Sequence, residues 1–90
     1  MTVHGWLVYI LECGDGTLYT GITIDLRRRL TAHQRGAASK YTRARLPVRV
    51  IYQEVQHTHS SALQREAHIR KLTHQDKLGL IFSSPSSPPP

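Results

Sequence analysis

The sequence predicts an α+β domain: a three-stranded antiparallel sheet with flanking helices, in the element order β-β-α-β-α-α. Three runs rich in β-branched and aromatic residues have the composition of strands, and three other segments space their apolar residues as helices do. A chain of 90 residues is the size of one domain. We therefore predict a single domain over residues 1–82, followed by a disordered tail over residues 83–90, where only Ser and Pro occur.

The first two strands are predicted to pair as an antiparallel hairpin. Residues 6–13 form an apolar run with β-branched and aromatic members, and residues 17–23 form a second strand-like run. Between them, Gly14-Asp15-Gly16 supplies residues that tolerate the positive φ of a tight turn. Cys13 is the one cysteine, so no disulfide can form within the chain, and we expect its side chain to be buried.

The first helix is predicted to begin near Asp25 and to end at Gly36. Asp caps helix N-termini, and Gly favours the turn that follows a helix C-terminus. Thr23 is an alternative cap for the same helix. Helical spacing places four side chains on one stripe of this helix, two apolar and two polar: Leu26, Arg29, Leu30 and His33.

The remaining elements follow from the same spacing rules. Residues 36–47 have no apolar period and are predicted to form a basic loop, whereas residues 48–55 are predicted to form the third strand. A second helix is predicted from Ser60 or Ser61 to about Leu72. A short third helix follows, and the pairs predicted to cap these two helices are Ser61 with Gln64 and Thr73 with Asp76.

The distribution of charge predicts a polyanionic partner. The chain carries 12 basic and 6 acidic residues, a formal charge of +6. Eight of the basic residues lie between Arg27 and Arg49, a segment that contains no Asp or Glu. A segment with one sign of charge repels itself unless an anion lies against it, and the planar Arg fork matches phosphate oxygens. We predict that nucleic acid binds to Arg27, Arg28, Arg35, Lys40, Arg43 and Arg45.

The N-terminus lacks the basic and long apolar segments of a signal peptide. No apolar stretch approaches the ~20 residues that a helix needs to span a bilayer. We therefore expect a cytoplasmic monomer that does not bind membranes.

Five polar side chains are candidates for chemistry. Arg29 and His33 lie four residues apart at the predicted buried edge of the first helix, where an isolated charge is costly. Glu66 lies on the apolar stripe of the second helix, where it pairs with an arginine, binds a metal ion or edges the core. Tyr9 and Tyr19 can meet across the hairpin. Each also has an ordinary structural explanation, as a core aromatic, a hydrogen-bonded core histidine or a charge whose stem covers the core.

Two strand motifs resemble those that name the GIY-YIG nuclease superfamily. Leu7-Val8-Tyr9 stands where the name has Gly-Ile-Tyr, and Tyr19-Thr20-Gly21 stands where it has Tyr-Ile-Gly. Gly21 inside a strand also indicates the close approach of a ligand or another backbone. Arg29 is at the position of the family arginine, His33 at a position often occupied by His, and Glu66 at that of the metal-binding glutamate.

The resemblance covers about residues 5–82. It is closest to the small stand-alone, YhbQ-like members, which have a similar Lys-Tyr-Thr-Arg stretch, here residues 40–43. The family has an Asn or similar polar residue near the end of the domain. This sequence contains no Asn, and Lys71 and Lys77 are alternative replacements.

The resemblance implies a metal-dependent endonuclease that hydrolyses DNA phosphodiester bonds, with RNA as the alternative polymer and a role in DNA repair or processing. Glu66 would hold Mg²⁺ or Mn²⁺, and Arg29 would stabilise the charge on the phosphate. Tyr19 is the first choice for the base, with Tyr9 orienting it or sharing that duty. His33 is an alternative proton relay.

Three other functions remain open. The same fold would bind nucleic acid without cutting it if the basic residues alone made contacts. The basic face would also suit an acidic protein partner. A zinc site is a third alternative, although the spacing of its candidate ligands is unusual and no paired cysteines accompany them: His57, His59, His68 and His74.

Overall fold

The computed structural model describes residues 5–83 and shows an antiparallel sheet with strand order β2-β1-β3. The strands are β1 (Trp6–Cys13), β2 (Leu18–Thr23) and β3 (Val48–Gln56). The helices are α1 (Leu26–Gln34), α2 (Lys40–Arg43), α3 (His59–Arg70) and α4 (His74–Ser83). The predicted α+β class and the order of its six elements are confirmed, and α2 is an additional short helix. The predicted tail lies outside the described residues except for Ser83, which ends α4.

The central strand β1 is buried on both faces. Val8 and Ile10 pack on one face with the α3 residues Ala62 and Ile69, and all four are fully buried. Alternate residues of β1 point to the opposite face, where partly buried leucines of α1 cover them. A strand with two buried faces needs a continuous apolar run, which explains why its sequence does not alternate.

The predicted hairpin is confirmed. β1 pairs antiparallel with β2, and Gly16 has a φ of +84° in the turn between them. This pairing places Leu11 opposite Tyr19 and Tyr9 opposite Gly21. Both motifs of the sequence therefore lie side by side in the sheet, and β2 forms one of its edges.

The caps of α1 agree with the sequence. The Asp25 carboxylate accepts a hydrogen bond of 3.1 Å from the Arg28 backbone N–H, and Gly36 follows the helix with a φ of +75°. The prediction of a structureless basic loop over residues 36–47 is wrong in its middle. Ser39 caps a single helical turn there by accepting a 3.0 Å hydrogen bond from the Thr42 backbone N–H.

The start of α3 also differs from the prediction. Thr58, rather than Ser60 or Ser61, is the cap, and its hydroxyl accepts a 3.0 Å hydrogen bond from the Ser61 backbone N–H. The Ser61 side chain reaches back to Thr58 and completes a capping box without Gln64. Within residues 5–83, no helix has the length and apolar character needed to cross a bilayer.

Candidate active site

The Tyr9 ring crosses the edge strand β2 above Gly21. The two residues are opposite each other in the register, and Tyr9 is fully buried. A Cβ atom added at Gly21 would lie 2.5 Å from the Tyr9 Oη atom and 2.7 Å from its Cζ atom. No side chain fits between them, so the glycine of the second motif lets the phenol of the first reach the edge of the sheet.

The Tyr9 hydroxyl belongs to a buried chain of hydrogen bonds. It lies 2.9 Å from His33 Nε2, and His33 Nδ1 lies 2.8 Å from Thr42 Oγ1. Oγ and the carbonyl O of Ser39 lie 3.0 and 3.4 Å from Thr42 Oγ1, so the Thr42 hydroxyl donates its single proton to Ser39. Thr42 then accepts from Nδ1–H, which leaves Nε2 as the acceptor of the Tyr9 proton.

The electrostatic surroundings of the Tyr9 hydroxyl identify its neighbours. Burial, followed by the charge of Tyr19, raises the pKa of Tyr9 to about 12. The Arg29 guanidinium acts in the opposite direction through its charge and a hydrogen bond, and the Glu66 carboxylate raises the pKa. Burial, followed by the charge of Arg29, lowers the pKa of His33. The fold thus gathers around one hydroxyl the five residues predicted as catalytic.

Tyr19 is the more accessible of the two phenols. It is half-buried, with its ring centroid 6.5 Å from that of Tyr9 and 5.2 Å from that of His33. On its other side the ring stacks on Tyr41 with centroids 6.0 Å apart. The Arg45 guanidinium lies 3.9 Å from the centroid of Tyr41. A row of ring contacts, tilted between Tyr9 and Tyr19 and stacked between Tyr19 and Tyr41, therefore leads from the buried Tyr9 to the surface.

Arg29 is exposed, so the prediction that it lies at the buried edge of α1 is wrong. His33 is the buried residue of this helix, whereas Leu26 and Leu30 are only partly buried. The guanidinium nevertheless acts on the buried Tyr9 hydroxyl, so its side chain spans from solvent to the site.

Glu66 lies on the stripe of α3 that carries the buried Ala62 and Ile69, as predicted, and is itself half-buried. The preceding residue, Arg65, anchors the helix through a 2.8 Å ion pair with Glu54 of β3. Burial raises the pKa of Glu54, but hydrogen bonds from Tyr52, Arg65 and Gln56 outweigh burial and hold it below its usual value.

The Glu66 carboxylate is available for a cation. Within the described part of the chain it makes no ion pair, so the arginine pairing considered for it is not present. Residues 5–83 contain no group of three or more His, Cys, Asp or Glu side chains that could hold a metal ion. Hard divalent cations retain waters and also take phosphate oxygens, so one half-buried carboxylate fits such an ion together with the substrate.

The predicted nucleic-acid contacts fall into two groups. Arg45 is engaged within the fold, because Nε lies 3.1 Å from the Asp15 carboxylate and its guanidinium covers Tyr41. Arg49, which shares the basic segment, pairs with Glu12 at 2.6 Å. The other predicted contacts are exposed on α1, α2 and the segment between them: Arg27, Arg28, Arg35, Lys40 and Arg43.

Sequence reasoning missed two residues of the site. Thr42 fixes the orientation of the His33 ring, and Tyr41 supports Tyr19. Both lie in the Lys-Tyr-Thr-Arg stretch of α2, which had been noticed only as a similarity. Of the two lysines considered as replacements for the family Asn, Lys77 lines a cavity with Tyr19, whereas Lys71 is an exposed C-cap of α3.

The buried His33 is expected to make the protein less stable below pH 6.5. Its pKa in the folded protein lies below the ordinary value of 6.5, so the unfolded chain takes up the proton first as the pH falls. The free energy of unfolding should therefore fall from pH 6.5 downward until the pH reaches the pKa of the folded state. Urea unfolding at a series of pH values measures this loss.

His33→Gln should remove most of that pH dependence, whereas His68→Gln, on the exposed face of α3, should preserve it. Protonation of Glu54 also lowers the free energy of unfolding in acid, but only below its ordinary pKa of 4.5. The pH range of this loss is therefore distinct from that of His33. An unchanged slope near pH 6 in His33→Gln would contradict the assignment of the effect to His33.

Comparison with known proteins places the chain among small bacterial relatives. The sequence pattern of the GIY-YIG catalytic domain matches residues 5–78. A UPF0213 protein of Streptococcus sanguinis is 53% identical over 74 residues, which cover 82% of this chain and 85% of the relative. A UPF0213 protein of Staphylococcus aureus is 50% identical over 74 residues, covering 82% and 90%. The name UPF0213 states no activity.

Two structures solved by NMR share the fold. A UPF0213 protein of Bacillus halodurans has a TM-score of 0.55 and 32% identity, covering 93% of this chain and 99% of that one. A protein of E. faecalis has a TM-score of 0.60 and 39% identity, covering 88% and 85%.

Proposed function

The chain belongs to the GIY-YIG catalytic domain family, and from this premise we propose that it is a nuclease that uses Mg²⁺ or Mn²⁺ to hydrolyse DNA phosphodiester bonds. A role in DNA repair or processing is part of the same proposal. The observation that carries it is the convergence on the Tyr9 hydroxyl of a second phenol, a guanidinium and a carboxylate that makes no ion pair within the described residues. A purely structural cluster would be expected to pair the carboxylate.

Glu66 and Arg29 bind the phosphate in this mechanism. Glu66 would hold the divalent ion through its carboxylate oxygens. A bound ion supplies Lewis-acid polarisation of the phosphate and stabilises the leaving oxygen. Arg29 reaches the site from the exposed side of α1 and donates two hydrogen bonds to the phosphate as negative charge accumulates.

Tyr19, as the phenolate, takes the proton from the attacking water and becomes the neutral phenol. Tyr19 is half-buried and faces a cavity, whereas Tyr9 is fully buried and its pKa of about 12 disfavours the phenolate. Tyr9 and His33 form a fixed hydrogen-bonded pair behind Tyr19 and hold its ring in place. We therefore assign Tyr9 and His33 to positioning and Tyr19 to proton transfer.

The exposed basic residues of α1 and α2 bind the DNA backbone. Arg and Lys contacts to phosphates position a duplex or a single strand but carry no sequence information. The exposed members are Arg27, Arg28, Arg35, Lys40 and Arg43, and we expect little sequence specificity from them.

The purified protein is expected to cleave DNA when Mg²⁺ or Mn²⁺ is added and to stop when EDTA removes the metal. Single-stranded, duplex and branched DNA and an RNA strand, assayed side by side, determine the substrate structure. Tyr19→Phe keeps the ring and removes the hydroxyl, so its cleavage rate should fall by about 10²-fold or more. Cleavage that survives EDTA, or a fully active Tyr19→Phe, would contradict this mechanism.

A nucleic-acid-binding module without activity is the second candidate. The sequence contains no Asn to match the late polar residue of the family, and this departure favours the candidate. The basic surface alone would then provide affinity. Binding of DNA with no cleavage of any of the four substrates, at any metal concentration, would decide for this function.

A further inference from the structure

A small cavity lies beside the edge strand β2, next to the candidate active site. It has a volume of about 210 Å³ and lies where the α2 side of the sheet meets the α3 and α4 side. Tyr19 forms one wall, so a single side chain separates the cavity from the Tyr9 hydroxyl. The complete lining is Leu18, Tyr19, Thr20, Tyr41, Arg70 and Lys77.

The charge of this cavity is uniformly positive. Arg70 at the end of α3 and Lys77 in α4 both line it, and no carboxylate does. Neither cation forms an ion pair with any residue in the described part of the chain. Two cations that share a small cavity repel each other, so an anion bound between them lowers the free energy.

The side chains of Arg70 and Lys77 suit a phosphate. Arg70 is exposed and Lys77 is half-buried, so both can reach a ligand that enters from solvent. Guanidinium and ammonium N–H groups donate charge-assisted hydrogen bonds to phosphate oxygens. Thr20 also lines the cavity, but its Oγ1 atom has almost no accessible surface and does not contact a ligand there.

The volume restricts the size of the ligand. Sites for drug-sized molecules begin at about 300 Å³, so this cavity is too small for a base and sugar together. A volume of this size suits a phosphate group.

We propose that Arg70 and Lys77 form a second phosphate subsite, which holds the phosphodiester adjacent to the scissile one in a DNA strand. This inference rests on the proposed nuclease function, because the scissile phosphate defines which neighbour is meant. Holding two successive phosphates fixes the direction of the strand across Tyr19 and presents one bond to the attacking water.

Binding in EDTA tests the subsite without any cleavage. The affinity of a fluorescein-labelled single-stranded DNA is measured over a range of salt concentrations for the wild type and for Arg70→Ala/Lys77→Ala. Each phosphate contact on a single strand makes the slope of log Kobs against log salt steeper by about 0.7. The slope measured for the double variant should therefore be shallower than that of the wild type by about 0.7. Lys71→Ala, which removes an adjacent exposed charge outside the cavity, should keep the wild-type slope.

A neutral methylphosphonate next to the scissile bond tests which phosphate is held. It should slow cleavage by the wild type, but it should not further slow the double variant. If the wild type cuts DNA but the double variant binds DNA with the wild-type affinity and the wild-type salt dependence, the proposed subsite is overturned and the proposed nuclease function is kept. If no substrate is cut but the salt dependence of DNA binding is weaker in the double variant, the phosphate subsite is supported and the proposed nuclease function is overturned. Binding of RNA but not DNA overturns the assignment to DNA.

Discussion

Replacement of Glu66 by Gln is expected to lower metal-dependent cleavage on the order of 10²–10³-fold, while DNA binding in EDTA stays as tight as in the wild type or becomes tighter. Gln has nearly the same shape as Glu and lacks only the charge that holds the cation. Glu66 makes no ion pair within the described residues, so its neutralisation leaves no orphaned cation in the fold. Losing a negative charge also weakens repulsion of the DNA phosphates.

Single-turnover cleavage at saturating protein measures the chemical step separately from affinity. Asp76→Asn removes one exposed carboxylate from the first turn of α4 and serves as the matched control, with a rate close to that of the wild type. Wild-type cleavage by Glu66→Gln would exclude Glu66 as the ligand of the metal. Equal loss in Asp76→Asn would point to a general effect of charge rather than to the site.

Gly21→Ala is expected to destabilise the fold by about 1–3 kcal/mol and to reduce cleavage about 10²-fold or more. The added Cβ would lie 2.5 Å from Tyr9 Oη and 2.7 Å from Cζ, so the ring must move. Tyr9 is fully buried and hydrogen-bonded to His33, so it has no space into which to retreat. Displacing the ring separates this pair and shifts the Tyr19 ring that packs beside it.

Urea unfolding and single-turnover cleavage measure the two effects independently. Gly79→Ala in α4 is the matched control, because among the described residues, apart from the chain neighbours and the backbone of its own helix, no atom lies within 4 Å of a Cβ added there. Alanine favours a helix over glycine, so this variant should gain up to about 1 kcal/mol of stability and keep its activity. A Gly21→Ala protein as stable and active as the wild type would show that the Tyr9 ring moves freely, contrary to the packing described above.

Much of the secondary structure could be predicted because its causes are local. The bounds of β1 follow from its apolar run, and the caps of α1 follow from Asp25 and Gly36. The errors occurred where several local signals compete. Thr58 caps α3 in place of the serines that follow it. Ser39 caps a helical turn inside a segment that has no apolar period.

The residues of the candidate site were predictable as a set through their resemblance to a family, but their surroundings were not. Spacing placed Arg29 at a buried position, whereas the fold exposes it and buries His33. The pattern of charge grouped Arg45 with the DNA contacts, yet Asp15 and Tyr41 engage it. How far a side chain is buried depends on how its helix lies against the sheet, and helical periodicity contains no such information.

Propensity, capping and charge act over a few neighbouring positions, so the strands, the caps of α1 and the basic balance could be read from the chain alone, and the family resemblance supplied the five candidate residues. The passage of Tyr9 over Gly21 and the cavity that Arg70 and Lys77 share with Tyr19 became evident only in the folded protein. These contacts join residues distant in the chain, so they depend on strand register and on the path of each helix across the sheet edge.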